Sequence, residues 1–385
     1  MKLDVPITFL ALFITACHGG PPTPIHSGDQ LLVEGSTPGV TPFPPPTASP
    51  APAPVLAAMG PLPPPRPARI SDLHVDTISR ILNENLSGID DPHLESSLTE
   101  LEAGDVGLIV EAVWVPAPKH VPDPWAYTHR VLDALHQELA RFPLRWGLIT
   151  SATDMPLFDR DHRVAALLSL EGGHALQSVE DVSTLKNRGI SMIGLTWSYS
   201  NTLCGSSGDQ PIPGTGLTPF GADIVREMNR LGIAIDVSHS SDTCLSDVLK
   251  LSTRPVIASH SNARALKPLH RNLSDESLRA IGAGGGLVGV MFHTPFLGGQ
   301  DGVTLDDVVD EIFYMASVMG WEAVAIGSDF DGRISAPQGL TRASDLPRLR
   351  QALMTRGATP GQVDAVMGGN LLRYLERVEL PSDIP

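Results

Sequence analysis

Short apolar runs rich in β-branched residues alternate with stretches of helical period from Ile70 onward. Runs such as Ala165–Leu168 are apolar at every position, which is typical of parallel strands buried on both faces. The pattern predicts eight strands, at Ile70–Asp76, Val106–Val115, Val164–Glu171, Ile190–Trp197, Gly232–His239, Pro255–His260, Gly285–Phe292 and Ala323–Asp329. It also predicts helices, at Pro124–Arg141, Ser178–Arg188, Thr218–Leu231, Ser240–Leu251, Ser274–Ile281 and Thr304–Met319.

Repeated strand–helix units favour an α/β fold of the TIM (β/α)8 barrel type over residues 69–385. A doubly wound α/β sheet is the alternative, because periodicity does not show whether the first strand pairs with the last. In a TIM barrel the functional side chains lie at the carboxyl ends of the strands. The residues that end the predicted strands are therefore the first place to look for chemistry.

The sequence before residue 69 has a different composition. Of the 35 prolines in the chain, 16 lie between Gly20 and Pro67. Proline removes a backbone donor, and the intervening small residues offer little apolar surface to bury. We therefore expect residues 18–68 to form a disordered Pro-rich linker, partly in polyproline II conformation, in front of the barrel.

Residues 1–17 have the features of a signal peptide. The apolar run Val5–Ile14 is too short to span a bilayer but suits an export signal. The Ile-Thr-Ala sequence before Cys17 resembles a bacterial lipobox, in which the cysteine is lipidated after cleavage; an ordinary signal peptide is the alternative. We expect an exported protein that meets a bacterial membrane only through a lipid on Cys17 and faces the periplasm or the cell exterior.

Charge and cysteine content limit the partners. The formal net charge is -16, and nearly all of it falls on residues 69–385. An acidic domain repels phosphate backbones, so we expect no nucleic-acid partner but a small-molecule one. Cys204 and Cys244 are not in a close-spaced metal motif, and the sequence favours two separate thiols over a disulfide. The sequence does not distinguish a monomer from a homodimer.

Polar side chains end most of the apolar strands. They are His74, Asp76, Glu171, Trp197, His239, His260 and Asp329. A polar group at the end of a buried strand needs a partner or a function. His74 and Asp76 are two residues apart on one strand, so both side chains lie on the same face. We therefore expect these residues to meet at one mouth of the barrel.

Three histidines and two carboxylates are the residue types that bind zinc and similar divalent metals. They exceed the need of one tetrahedral ion, and they suit two ions that share a bridging carboxylate and activate a water molecule. Asp329, in the segment Gly327–Gly332, is a candidate to accept the proton of that water and pass it to a leaving amine. A loop aspartate that caps a turn is the alternative for Asp329.

At these residues the chain resembles the renal (membrane) dipeptidase family of zinc hydrolases. The resemblance covers Asp72 to about Leu375, and it rests on many motifs in the family's order. These are Asp72–Asp76, Ser169–His174, Gly216–Gly221, Met228–Gly232, Ile235–His239, Pro255–Ser261, Arg271–Asp275, Ser328–Gly332 and Gly368–Arg373.

The resemblance implies a role for each matching residue. His74 and Asp76 would bind one zinc ion, His239 and His260 a second, and Glu171 would bridge them. Arg271 would hold the carboxylate of a dipeptide substrate, whose C-terminal residue is an L- or a D-amino acid. Asp329 would be the catalytic aspartate.

Trp197 departs from the family pattern. It occupies a position where the mammalian enzymes have a histidine that contacts substrate, and an indole can donate one hydrogen bond but cannot carry a proton. The expected activity is that of a zinc-dependent membrane dipeptidase. A zinc amidohydrolase for N-acyl amino acids or lactone-like substrates, with Trp197 reshaping the pocket, is the enzymatic alternative. A lipid-anchored binding protein without catalysis is the non-enzymatic one.

Overall fold

The computed structural model describes residues 69–209, 216–299 and 301–379. The predicted signal peptide, the lipidation site Cys17 and the Pro-rich linker lie outside the described residues. Nine parallel strands occur in the part that is described: β1 (Ile70–Val75), β2 (Val106–Trp114), β3 (Trp146–Leu148), β4 (Val164–Glu171), β5 (Ile190–Gly194), β6 (Ala234–Asp236), β7 (Ile257–Ala258), β8 (Leu287–Val290) and β9 (Val324–Ile326).

Eight of these strands form a barrel. The pairing order is β1-β2-β4-β5-β6-β7-β8-β9, and β3 pairs with β4 outside this path. The residues after β9 return to β1: the Asp329 N–H donates to the His74 carbonyl at 3.0 Å, and the Asp76 N–H donates to the Phe330 carbonyl at 2.9 Å. Because the first and last strands are joined, the TIM barrel prediction is confirmed and the doubly wound sheet is excluded.

Thirteen α-helices surround and close the barrel within the described residues. They are α1 (Thr77–Glu84), α2 (Leu98–Ala103), α3 (Pro124–Arg141), α4 (Met155–Arg160), α5 (Glu180–Asn187), α6 (Pro219–Leu231), α7 (Asp242–Leu251), α8 (Asp275–Ala283), α9 (Thr294–Leu297), α10 (Leu305–Met319), α11 (Leu346–Thr355), α12 (Pro360–Asp364) and α13 (Asn370–Glu379). All eight predicted strands and all six predicted helices are present. The sequence pattern missed β3, α1, α2, α4, α9 and the C-terminal helices.

Side-chain caps explain where several of these helices begin. Thr218 accepts a hydrogen bond from the Gly221 N–H at the start of α6, and Ser241 accepts one from Cys244 at the start of α7. Thr304 and Asp307 form a capping box at the start of α10. Each cap satisfies a backbone donor that has no partner within the helix. None of the helices in the described residues is long and apolar enough to cross a bilayer.

Two apolar clusters lie on opposite faces of the strands. The larger one packs strand residues such as Ile109 against helix residues such as Leu132 of α3. The smaller one takes one or two residues from each barrel strand, Leu108 and Val110 from β2 among them, and so fills the barrel interior. Leu371 and other α13 residues belong to this interior cluster, so α13 covers one end of the barrel. The other end, at the carboxyl ends of the strands, is left for polar side chains.

Cys204 and Cys244 form a disulfide, with their Cα atoms 5.9 Å apart. The expectation of two separate thiols was therefore wrong. Cys204 lies in the segment after β5, and Cys244 lies in the first turn of α7, which follows the neighbouring strand β6. Adjacent strands bring the two segments together, although 40 positions separate the cysteines in the chain.

Candidate metal centre

Five polar side chains from four strand ends meet at the open mouth of the barrel. His74 and Asp76 come from the end of β1, Glu171 ends β4, His239 follows β6 and His260 follows β7. His74, Asp76, Glu171 and His260 are buried, and the His239 side chain is only 11% exposed. The predicted cluster is thus brought together, whereas the role of each residue as a ligand stays a prediction.

Glu171 lies at the centre of this cluster. Its Oε1 is 3.0 Å from His239 Nε2 and 3.6 Å from His260 Nε2, and its Oε2 is 3.6 Å from His74 Nε2. Asp76 Oδ2 lies 3.5 Å from His74 Nε2 on the other side. One carboxylate oxygen therefore faces His74 and the other faces His239 and His260, which is the arrangement of a bridging ligand.

The nitrogen and oxygen atoms of this cluster are better placed to coordinate metal ions than to form hydrogen bonds with one another. His74 Nε2 is buried and has no hydrogen-bond partner among the described residues. His239 Nε2 and His260 Nε2 are 2.9 Å apart, so one ion could contact both nitrogens. Three overlapping triads of ligand atoms each fit within 4.8 Å: His74-His260-Asp329, Glu171-His239-His260 and His74-Asp76-Glu171. Imidazole nitrogens and carboxylate oxygens in this mixture suit zinc and other divalent metals.

Burial and neighbouring charges divide the pKa values of the histidines. Burial opposes the charged form of His74, but Glu171 and Asp76 outweigh it and raise its pKa well above the ordinary value. Burial, helped by the charge on Arg271, lowers the pKa of His239 to about 4. Burial also lowers the pKa of His260, and His74 and Arg271 add to the effect. His239 and His260 are therefore neutral near pH 7, and only a neutral imidazole binds a metal.

Asp329 faces the cluster from the turn after β9. Its Oδ1 is 3.9 Å from His74 Nε2, and its side chain is 17% exposed. Burial raises the pKa of Asp329 well above its ordinary value, and the carboxylates of Asp76 and Glu171 add to this effect. His239 and Asp329 both adopt a left-handed backbone conformation, with φ of 65° and 67°. Such strain in non-glycine residues is found where side chains must be held at a functional site.

Asp331, two residues further on, has a structural role. Its carboxylate accepts hydrogen bonds from the Ser96 N–H and from Arg80 Nη1, and it lies in the interior. The cap-like role considered for Asp329 therefore belongs to Asp331, which holds the segment after α1 against the turn after β9.

Arg271 is fixed beside His260. Its Nη1 donates to Ser261 Oγ at 2.8 Å, and its Nη2 donates to the His260 carbonyl at 2.7 Å. Its Nε is buried and has no hydrogen-bond partner within the described part of the chain. Burial lowers the pKa of Arg271 to about 10, so the guanidinium stays charged at neutral pH. A positioned cation with unused donors is suited to a substrate anion.

Trp197 forms part of the wall beside the cluster. A cavity of about 810 Å³ opens onto Glu171, His239, His260 and Asp329, and Trp114, Trp197 and Tyr127 line its outer part. The Trp197 ring packs edge-to-face against Trp114, with the ring centroids 5.1 Å apart. Trp197 follows β5, which ends at Gly194, so it belongs to the connecting segment and not to the strand as predicted.

Two residues behind the ligands were missed as functional candidates. Ser259 Oγ contacts the rings of His74 and His260, and Asp236 accepts a hydrogen bond from the Ser259 hydroxyl. Both were visible in the sequence as buried polar residues next to predicted ligands. Their roles depend on which strands are neighbours, and a linear pattern does not give this.

The comparisons with known proteins agree with this geometry. A curated relative, Dipeptidase tcpJ of Claviceps purpurea (strain 20.1), is 32% identical over 293 residues, which cover 73% of this chain and 69% of the relative. A metallopeptidase of Rhodobacter sphaeroides, solved with a phosphinate mimic of the dipeptide L-Ala-D-Ala, is 25% identical with a TM-score of 0.75, covering 81% of this chain and 100% of that one.

A second solved structure, dipeptidase AC of peptidase family M19, also has 25% identity and a TM-score of 0.75, over 81% of this chain and 99% of that one. The family profile described as membrane dipeptidase (peptidase family M19) matches residues 66–383. Since the match spans the whole barrel and the barrel holds a metal-type donor cluster, the chain belongs to the membrane dipeptidase family of metallopeptidases.

Proposed function

We propose that this chain is a two-zinc dipeptidase that hydrolyses the single peptide bond of dipeptides carrying a free C-terminal carboxylate. The observation that carries the proposal is the placement of Glu171, with Oε2 toward His74 and Oε1 toward His239 and His260. His74 and Asp76 would hold one ion, His239 and His260 the other, and Glu171 both. When bound, the two ions supply an activated water molecule and polarise the scissile carbonyl.

Arg271 binds the substrate carboxylate in this proposal. Two of its nitrogens are anchored on Ser261 and the His260 carbonyl, so the orientation of its guanidinium is set before substrate arrives. Its location next to His260 places the bound carboxylate on one side of the metal centre. The substrate is then held with its peptide bond at the metals, in the cavity lined by Glu171, His239 and His260.

Asp329 moves the proton. It accepts a proton from the attacking water on a carboxylate oxygen and delivers it to the nitrogen of the leaving amine. Burial and the carboxylates of Asp76 and Glu171 raise the pKa of Asp329, which favours the protonated carboxyl that delivers the proton. The left-handed backbone at Asp329 aims its carboxylate into the cavity beside Asp76 and Glu171.

An Asp329→Asn variant tests the role of this carboxylate. We expect kcat for dipeptides to fall by about 10²- to 10⁴-fold, with metal content unchanged. Asp331→Asn is the matched control, because it makes the same change two residues away in a carboxylate that serves the fold. It should lower thermal stability more than kcat. An unchanged kcat in Asp329→Asn, measured on metal-loaded protein, excludes the proton-transfer role.

A zinc amidohydrolase for N-acyl amino acids or lactone-like substrates is the second candidate. The edge-to-face contact of Trp197 with Trp114 favours it, because it gives the cavity a large apolar wall. A panel of L,L and L,D dipeptides and N-acyl amino acids, assayed with metal analysis on the same sample, separates the two. A lipid-anchored binding protein predicts instead binding without turnover.

We further propose that the protein is exported and attached to a bacterial membrane by a lipid on Cys17. The Cys204–Cys244 disulfide supports export, since such bonds persist in oxidising compartments. A Cys17→Ser variant should move from the membrane fraction to the soluble fraction, and fatty-acid labelling of the protein should be lost. Membrane retention of that variant contradicts the lipid anchor.

A further inference from the structure

One hydroxyl lies behind both proposed metal positions. Ser259 is fully buried at the end of β7, and its Oγ is 2.8 Å from His260 Nδ1 and 3.2 Å from His74 Nδ1. The Nε2 atoms of these same two rings point the other way, toward Glu171. A single side chain therefore contacts one predicted ligand of each metal ion from the interior of the barrel.

Asp236 decides where the proton of this hydroxyl goes. Its Oδ2 accepts from Ser259 Oγ at 2.6 Å, the shortest contact that the hydroxyl makes. Its Oδ1 accepts from the backbone N–H groups of Ser238 and Ser259, at 2.9 and 3.0 Å. Ser259 therefore uses its one O–H to donate a hydrogen bond to Asp236.

The remaining hydrogen-bonding capacity of Ser259 fits the two imidazole rings. A hydroxyl has one proton and two lone pairs, so after donating to Asp236 it can only accept. His74 and His260 can then contact Ser259 Oγ only as donors, through Nδ1–H. A neutral ring that carries its proton on Nδ1 has its free lone pair on Nε2, which is the atom that faces Glu171.

We infer that the Asp236–Ser259 pair positions His74 and His260 together, by holding both rings in the Nδ1–H tautomer that presents Nε2 to metal. This inference rests on the proposed metal centre and concerns how it is assembled. Ser259 and Asp236 are positioning residues, since neither faces the cavity. Both residues act on the two metal positions through one hydroxyl. Removal of this hydroxyl should therefore lower the affinity for zinc at both positions.

The Ser259→Ala variant is the first test. It removes the hydrogen-bond acceptor of both Nδ1–H groups, so each ring can also adopt the Nε2–H tautomer. That tautomer has no lone pair on Nε2 and cannot bind metal through it. We expect the affinity for zinc to fall by about 10- to 100-fold at both sites, as measured by competition with a chromogenic chelator. Ser238→Ala is the matched control. Ser238 Oγ lies 3.3 Å from Ser259 Oγ and accepts a hydrogen bond from the backbone N–H of His260, but it contacts neither ring nitrogen.

Asp236→Asn tests the direction of the proton. Its side-chain NH₂ can donate to Ser259, which frees the hydroxyl to donate to one imidazole Nδ1. That ring then adopts the Nε2–H tautomer. We therefore expect the affinity for zinc to fall more at the position of that ring than at the other. This variant keeps the shape of the side chain and replaces one hydrogen-bond acceptor by a donor.

Ring-nitrogen NMR of protein labelled with ¹⁵N-histidine gives a readout that does not depend on activity. In the metal-free wild type the neutral His260 ring should carry its proton on Nδ1, and this signature should be lost in Ser259→Ala. Wild-type zinc affinity in a folded Ser259→Ala variant, or unprotonated Nδ1 on this ring in the metal-free wild type, overturns the inference. If Ser259→Ala does not fold, the wild-type spectrum and Asp236→Asn decide.

Failure of the proposed function would look different. A wild type that binds two zinc ions with the expected tautomers but hydrolyses no dipeptide contradicts the dipeptidase proposal and leaves the positioning role standing. A wild type that hydrolyses dipeptides while Ser259→Ala binds zinc as tightly contradicts only the positioning role. A wild type that binds no zinc contradicts both.

Discussion

Removing the Cys204–Cys244 disulfide should destabilise the barrel by about 4 kcal/mol. The bond closes a chain segment of 40 positions, and the loss of loop-closure entropy in the unfolded chain gives this magnitude at 25 °C. The folded state itself changes little. The two segments remain joined by backbone hydrogen bonds from Ser207 to the His239 carbonyl and from Ser241 to the Gly205 carbonyl, each 2.8 Å long.

Urea unfolding followed by tryptophan fluorescence measures this effect. The oxidised wild type is compared with a Cys204→Ala, Cys244→Ala double variant, and reduced wild type is the control that keeps both side chains. With a slope of about 3 kcal/mol per M, the midpoint should fall by about 1 M urea or more. Thiol titration before and after reduction establishes that the bond was present.

The metal centre should survive the loss of the bond. The His239 carbonyl also accepts from the hydroxyls of Ser206 and Ser207, at 3.1 and 3.0 Å, so the turn that carries His239 keeps several contacts. We expect the metal content of the double variant to match that of the wild type. Equal urea midpoints for the oxidised wild type and the double variant would refute the loop-closure reasoning.

Three further predictions concern single residues. Arg271→Lys keeps the charge but loses the planar fork, so KM for dipeptides should rise by about tenfold or more with a smaller change in kcat, and dipeptide amides should be unaffected. Trp197→His, with Trp197→Phe as control, should raise kcat/KM for dipeptides on the order of tenfold relative to N-acyl amino acids. Burial raises the pKa of Glu311 to about 8 from an ordinary 4.5. The unfolded chain therefore releases this proton first, so the free energy of unfolding should fall between about pH 4.5 and 8, by up to about 5 kcal/mol, and Glu311→Gln should remove that dependence.

The fold and the meeting of polar side chains at its mouth were predictable from sequence for a common reason. Parallel strands buried on both faces are apolar throughout, so a histidine or carboxylate at the end of such a strand stands out. His74, Glu171 and His260 were found in this way. The barrel brings the carboxyl ends of its strands to one mouth, and their approach to one another follows from the fold class alone.

The residues that were missed depend on contacts between elements. Ser259 and Asp236 matter because β6 and β7 are neighbours with Asp236 paired to Ile257, and this register is not written in either strand. The disulfide similarly depends on the approach of the segment after β5 to α7. Arg271 lies in a loop without periodic pattern, and only its resemblance to the family motif singled it out.

We expect a substitution at Trp197 to change substrate choice and to leave the proposed metal ligands in place, because different contacts hold the two. His74 and His260 are held from the barrel interior by Ser259, on the side away from the cavity. Trp197 packs on the cavity side, against Trp114 and with its ring centroid 6.4 Å from that of His239. The contacts that fix the ligands and those that shape the substrate wall thus involve different side chains. We therefore expect Trp197→His to bind as much metal as the wild type, and metal analysis of the purified variant tests this.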